Sequence, residues 1–220
     1  MRLLDLLLPR RCVVCSVVGD LVCAACRGKL PRLRPPTCAR CGAPTVWPVV
    51  RCRECAGRRL AFAAARAAVA YEGPVRTLVG AWKERGLRAV ADLAAGLVVE
   101  TIARPRVTSL VWVPPDPDRS LQRGHHPAER LARELARQWD LPAAPLLVRT
   151  RGSPRQRGLA VGDRRRNVAG LFAPNARAPT AVALVDDVYT TGSTASAAAS
   201  ALRRAGATHV DVLTFARALR

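Results

Sequence analysis

Val182-Ala183-Leu184-Val185-Asp186-Asp187-Val188-Tyr189-Thr190-Thr191-Gly192-Ser193-Thr194 is the stretch that decides the fold. Its apolar quartet predicts a buried strand, and two adjacent carboxylates stand at the strand end. A hydroxyl-rich loop of small residues follows and opens into an alanine-rich helix from Ala195 to Ala205, closed by Gly206. Backbone N–H groups at a helix N-terminus lack intrahelical partners, and the helix dipole favours an anion there. The paired carboxylates stand where ribose hydroxyls or a hydrated Mg²⁺ would be held. The physical reading is a sugar-phosphate cradle. The plain alternative is an ordinary strand–turn–helix in which Asp186-Asp187 merely ends the strand. A Walker-type loop would need Gly-Lys-Ser/Thr, and no lysine stands here, which disfavours nucleoside triphosphate hydrolysis.

These residues resemble the phosphoribosyl pyrophosphate (PRPP) loop of type I phosphoribosyltransferases at every position from Val182 to Thr194. The resemblance implies that Asp186 and Asp187 bind the ribose 2′- and 3′-hydroxyls and carry the catalytic role. It also implies that Thr190, Thr191, Gly192, Ser193 and Thr194 wrap the 5′-phosphate, with Mg²⁺ accompanying PRPP.

Composition sets the bounds around this motif. A chain of 220 residues, half of them apolar, has room for one α/β domain and a small appendage. The formal charge of +20 is almost all arginine, since Lys29 and Lys83 are the only lysines. Such a surplus predicts attraction to polyanions that weakens as salt rises, which suits phosphate-rich small substrates and nucleic acid alike. The apolar run from Leu3 to Leu8 is too short to span a membrane and is broken by Asp5. No small-residue cleavage site precedes Cys12. The expectation is a soluble cytoplasmic protein without membrane insertion.

All eight cysteines lie between residues 12 and 55, as four C-x-x-C pairs: Cys12/Cys15, Cys23/Cys26, Cys38/Cys41 and Cys52/Cys55. Two-residue spacing turns both thiolates of a knuckle toward one metal, and two knuckles complete a tetrahedral four-cysteine zinc site. Disulfides conflict with a cytosolic location, and redox pairs need a βαβ context absent here. The reading is two structural Zn²⁺ sites. Sequential grouping is preferred because Pro31, Pro35 and Pro36 separate the halves as a linker would; an interleaved grouping is the alternative. Two zinc ions on eight thiolates lower the charge to roughly +16, still strongly basic. A segment this short with few aromatics folds on its metals. It serves either as a purely structural module or as a contact surface, where its arginines and Trp47 would face nucleic acid or protein.

Between these motifs the pattern alternates strands and helices. Strands are expected over 62–71, 109–113, 181–185 and 208–215, and helices over 75–85, 87–103 and 128–139. The predicted class is α/β: an open, mostly parallel sheet with flanking helices, type I phosphoribosyltransferase-like, over residues 60–220, preceded by a double zinc-ribbon domain over 1–59. The loop after Val113 offers Arg119 and Arg123 as pyrophosphate contacts by analogy with phosphoribosyltransferases. The arginine-dense stretch 149–168 reads as a hood over the substrate, or else as a solvated basic loop. His125 and His126 are expected to face solvent, with acid–base chemistry as the alternative.

Tyr71-Glu72-Gly73-Pro74 before a helix carrying Lys83, then Gln122-Arg123-Gly124, Pro154-x-Gln156-x-x-Leu159, Arg165-Arg166-Asn167-Val168-x-Gly170-x-Phe172 and the PRPP loop together resemble the ComF competence family. That resemblance spans essentially the whole chain. It implies a zinc ribbon fused to a phosphoribosyltransferase-like domain, with Lys83, Gln156 and Arg165 joining Arg119 and Arg123 on the pyrophosphate and hood side. It further implies a link to DNA uptake, single-stranded DNA and a competence helicase. Asp116-Pro117-Asp118-Arg119 stands where the family shows a more basic loop, and His125-His126-Pro127 replaces its Phe-Asn-Gln. The two acids would recruit Mg²⁺ or mark a degenerate pyrophosphate half. A pentosyl-transferring enzyme of base salvage and a non-catalytic nucleic-acid adaptor are the alternative functions. PRPP binding separates the first from the second, and salt-dependent DNA affinity tests the adaptor.

Overall fold

The strand that starts at Ala181 lies inside the sheet because its residues from Val182 to Val185 carry apolar side chains on both faces. The computed structural model describes residues 10–116, 125–150 and 170–220. In chain order the elements are a short helix α1 (Ala24–Gly28), strand β1 (Ala64–Ala70), helices α2 (Gly73–Glu84) and α3 (Val90–Thr101), and strand β2 (Ser109–Trp112). Helix α4 (Pro127–Trp139), strands β3 (Ala143–Ala144), β4 (Leu147–Arg149), β5 (Phe172–Pro174) and β6 (Ala181–Tyr189), helix α5 (Ser193–Arg204) and strand β7 (His209–Arg217) complete them. Among the described residues five strands form one sheet in the order β1-β7-β6-β2-β3, all parallel, and β4 pairs antiparallel with β5.

The sheet has two covered faces. Helices α2, α3 and α4 pack on one, burying Leu78, Trp82, Leu97, Leu131 and Leu135. Helix α5 packs on the other with Ala198, Ala201 and Leu202. Helix α4 shows how the sequence does this: Leu131, Leu135 and Trp139 share a stripe, while Glu129–Arg133 and Glu134–Arg137 pairs face water.

The cysteine-rich segment straddles the edge of this sheet. Val22, Cys26 and Leu30 join the core under α2 and α3, whereas Cys38, Cys55, Leu60 and Phe62 join the core under α5. The proline-bearing segment between them is more than a spacer. Leu33 N–H donates to Ala68 O at 2.8 Å, and Ala70 N–H donates to Pro31 O at 2.8 Å, as an antiparallel bridge on β1. It thereby covers an edge that would otherwise be open to pairing with another chain.

Several expected boundaries shift. Asp186 and Asp187 lie within β6, which pairs with β7 as far as Tyr189, and α5 begins at Ser193 rather than at Ala195. Helix α2 opens at Gly73-Pro74 rather than at Val75, because proline suits the first helical turn. Helix α3 spans Val90–Thr101, shorter than the periodicity suggested.

Candidate functional site

Strands β2 and β6 are neighbours, but the helix after β2 lies on one face and the helix after β6 on the other. The chain therefore parts at their carboxyl ends and leaves a crevice, the place where open α/β sheets hold ligands. Asp186 and Asp187 stand on the β6 side of that crevice, and Asp187 N–H donates to Asp186 Oδ1 at 2.9 Å. Thr190 and Thr194 are exposed, Thr191 and Ser193 half-buried. Thr191 Oγ1 donates to Ser193 Oγ at 2.9 Å and accepts from Ser193 N–H at 3.2 Å.

Gly192 caps α5 with φ +73°, a left-handed conformation that glycine adopts without strain. A Cβ at this position would lie 2.2 Å from Tyr189 Oη. The position thus demands glycine for space as well as for conformation.

Two cations from other elements, Lys83 and Arg149, act on the carboxylate pair. Lys83 Nζ, from the last turn of α2, donates to Asp187 Oδ1 at 2.7 Å. Arg149, the end of β4, lies 3.4 Å from Asp116 Oδ2 in the segment after β2. Burial, and then the neighbouring Asp187 charge, push Asp186 up to about 7, with the Asp187 N–H, Lys83 and Arg149 opposing them only in part. One carboxyl of the pair thus holds its proton near neutrality, as closely spaced acids do. Asp116 is not an isolated acid; Arg149 pairs with it.

The histidines are not solvent-facing as expected. His125 Nε2 lies 2.7 Å from Trp82 O, and the His126 side chain is only 13% exposed, 3.5 Å from Glu129. Burial lowers the His126 pKa, with Glu129 and Asp187 opposing the shift. Arg119, Arg123, Gln156 and Arg165 lie outside the described residues, as do the other arginines of 151–168.

The cysteines gather into two sets. Cys12, Cys15, Cys23 and Cys26 form one and Cys38, Cys41, Cys52 and Cys55 the other, the sulfurs of each set lying within 4.8 Å of one another. The grouping is sequential. Sulfur separations of 3.7, 3.6 and 3.4 Å for Cys15–Cys23, Cys38–Cys55 and Cys41–Cys52 rule out disulfides and approach the tetrahedral edge of about 3.8 Å around zinc. Cys52 N–H donates to Cys38 Sγ at 3.3 Å across the two knuckles, a hydrogen bond that favours thiolate. Burial opposes ionisation of Cys38, yet the N–H groups of Cys41, Cys52 and Arg40 outweigh it and bring the thiol down to about 6. The donor set therefore fits two structural Zn²⁺ ions. Trp47 stands 66% exposed between Cys41 and Cys52, with Val46 and Val50 also exposed.

One participant escaped the sequence reading. Arg217, at the end of β7, is 1% exposed, and its Nη1 donates to Cys41 O at 2.6 Å while its Nη2 donates to Glu54 Oε2 at 2.6 Å. Its guanidinium also lies 4.6 Å from the Tyr189 ring centroid. Nothing local distinguishes an arginine ending an apolar strand from a solvated one, so only tertiary contacts could find it.

Comparison with known proteins adds the family context. A double zinc ribbon domain matches residues 3–56. Competence protein F of Haemophilus influenzae is 28% identical over 94% of this chain and 97% of its own length. The DNA utilization protein YhgH of Salmonella typhimurium is 29% identical over 97% of this chain and all of its own, and that of Escherichia coli K12 is 28% identical with the same coverage. A solved structure of glutamine PRPP amidotransferase from B. subtilis, complexed with ADP and GMP, matches at a TM-score of 0.40 and 20% identity, over 56% of this chain and only 26% of that one. Among the described residues no helix is long and apolar enough to cross a membrane. With its paired zinc knuckles and five-stranded parallel sheet, the chain carries a double zinc ribbon and is similar to competence protein F and YhgH over nearly its whole length.

Proposed function

We propose that this protein binds PRPP or a related ribose phosphate with Mg²⁺ at the β6–α5 loop, and that it acts in the cytoplasm on single-stranded DNA during DNA uptake. The observation that carries the first half is the position of Asp186-Asp187 and the Thr190–Thr194 loop at the crevice where the connections part to opposite faces. In this reading Asp186 and Asp187 hold the ribose hydroxyls, and the loop hydroxyls and backbone N–H groups hold the 5′-phosphate at the α5 N-terminus. Lys83 and Arg149 supply positive charge for the pyrophosphate side, with Arg119, Arg123, Gln156 and Arg165 as its further contacts. If pentosyl transfer follows, the carboxylates stabilise the positive charge that develops at carbon 1.

The names of the relatives, competence protein F and DNA utilization protein, support the second half. The formal charge of +20 favours a polyanionic partner, and a competence helicase would act beside it. Calorimetry with Mg²⁺ and PRPP tests the site: wild type is expected to bind, and Asp186→Asn/Asp187→Asn to bind at least about ten-fold more weakly. Absence of heat with wild type ends the PRPP reading. Single-stranded DNA affinity measured against salt tests the partner, with a steep fall expected as salt rises.

A further inference from the structure

We infer that Arg217 is a positioning residue that ties the metal state of the second four-cysteine site to the shape of the β6–α5 loop. Each link is a direct contact. The polar contacts of Arg217 on this side all belong to the knuckles of that one metal. Nη1 donates to Cys41 O at 2.6 Å, Nη2 lies 3.7 Å from Cys41 Sγ, and Nη2 also donates to Glu54, which sits between Cys52 and Cys55, at 2.6 Å. A buried guanidinium keeps its place only while its acceptors keep theirs. A metal on the four sulfurs fixes both knuckles and therefore the acceptors of Arg217.

The other face of the guanidinium lies 4.6 Å from the Tyr189 ring centroid, and Tyr189 is the register partner of Arg217 across β6 and β7. Phe62, from the same core as Cys38 and Cys55, meets that ring edge-on at 6.3 Å and confines it from another side. The Tyr189 ring in turn fills the space beneath Gly192, where even a Cβ would lie 2.2 Å from Oη. Loss of the second metal frees Cys41 and Glu54, withdraws the guanidinium from the ring, and lets the ring move out from under the loop. The first cysteine set packs into the core on the other face of the sheet, away from Tyr189 and Gly192. Its polar link runs from Arg27 to Glu100 on α3, on the opposite face of the sheet.

As a statement about ligand affinity the inference rests on the ribose-phosphate reading above; as a statement about the loop's structure it does not. Hydrogen exchange on the full zinc-loaded chain separates the two, read in a peptide covering residues 186–195 with one covering 109–112 as control. Arg217→Gln and Cys52→Ser are expected to speed exchange in 186–195 by about ten-fold while 109–112 keeps the wild-type rate. Cys15→Ser, in the first set, leaves both peptides at the wild-type rate. Arg217→Lys keeps the charge but not the planar fork, and is expected to fall between wild type and Arg217→Gln. Zinc release to a chelator should quicken by about ten-fold for one of the two ions in Arg217→Gln. PRPP affinity should fall by about ten-fold in the same variants.

A wild-type rate for 186–195 in Arg217→Gln overturns the inference, and so does an equal rise in Cys15→Ser. Should Arg217→Gln and Cys52→Ser exchange fast everywhere, Arg217→Lys decides: acceleration confined to 186–195 supports the coupling, and none removes it. No PRPP binding by wild type, with the exchange pattern intact, defeats the ligand reading and leaves the coupling standing.

Discussion

The two cysteine sets have the same ligands and the same knuckle spacing, yet the molecule leans on them unequally. In the first, Cys15 is exposed and Cys23 half-buried, and the set touches the sheet domain through a few apolar side chains and an exposed ion pair. In the second, Cys38 and Cys55 are completely buried in a core shared with Phe62, Tyr189 and helix α5. Zinc stabilises whatever structure its ligands hold, so identical metal chemistry has different leverage at the two positions. The largest effect follows directly. Cys55→Ser should destabilise the whole chain by roughly 5 kcal/mol and abolish one zinc equivalent, with Cys15→Ser costing less than half as much. Chemical denaturation with zinc quantification checks both, and equal losses would erase the distinction between the sets.

A sharper version compares carboxylates rather than cysteines. Glu54 pairs with an Arg217 side chain that is 2% exposed, so Glu54→Ala leaves a buried cation short of an acceptor. The expected cost is about 3 kcal/mol in urea unfolding. Glu54→Gln retains an acceptor and should recover part of it.

Beyond the ribbons, the same test of burial reaches the β6 carboxylates. Asp186 is raised from its ordinary range to about 7, chiefly by burial and then by Asp187. It binds its proton more tightly folded than unfolded, so its contribution to stability is complete below about pH 4 and is lost as pH rises through 7. Unfolding free energy should therefore fall by about 2 kcal/mol between pH 5 and pH 8, and Asp186→Asn should flatten that slope. Under the proposed ribose-phosphate function, affinity for Mg²⁺–PRPP should move the opposite way and rise over the same window, because the ionised carboxyl is the better ligand. Cys15→Ser should leave both slopes intact.

These expectations also mark what a sequence can and cannot disclose. Cysteine spacing carries its own geometry, since two residues between thiols fit a metal knuckle whatever surrounds it; the sets in the structure follow the chain order. The alternation of apolar runs likewise located β1, β2, β6 and β7, because strands buried on both faces write continuous Val/Ala/Leu stretches. Strands β3, β4 and β5, of two or three residues each, are too short to carry a period. The contact between Lys83 and Asp187 joins residues 104 apart in sequence, and the one between Arg217 and Cys41 joins residues 176 apart. No local pattern encodes either. Pro31–Leu33 read as a spacer because prolines suit linkers, whereas its pairing with β1 depends on an edge that only the assembled sheet provides.

The smallest effect is the most discriminating of these comparisons. Arg27 and Glu100 form a direct ion pair, with side chains 44% and 45% exposed, and Arg32 approaches the same carboxylate at 3.7 Å. By composition this is the counterpart of Arg217–Glu54: an arginine and a glutamate joining ribbon to sheet domain. Water already solvates both partners, so the attraction is screened and ordering two long side chains offsets most of it. Glu100→Ala should change unfolding free energy by no more than about 0.5 kcal/mol, and less at high salt. Glu54→Ala measured alongside should show a several-fold larger loss that salt barely alters. A large, salt-sensitive loss for Glu100→Ala would mean that the first ribbon is held by charge, and the contrast between the two sets would then lie in the kind of attachment rather than its strength.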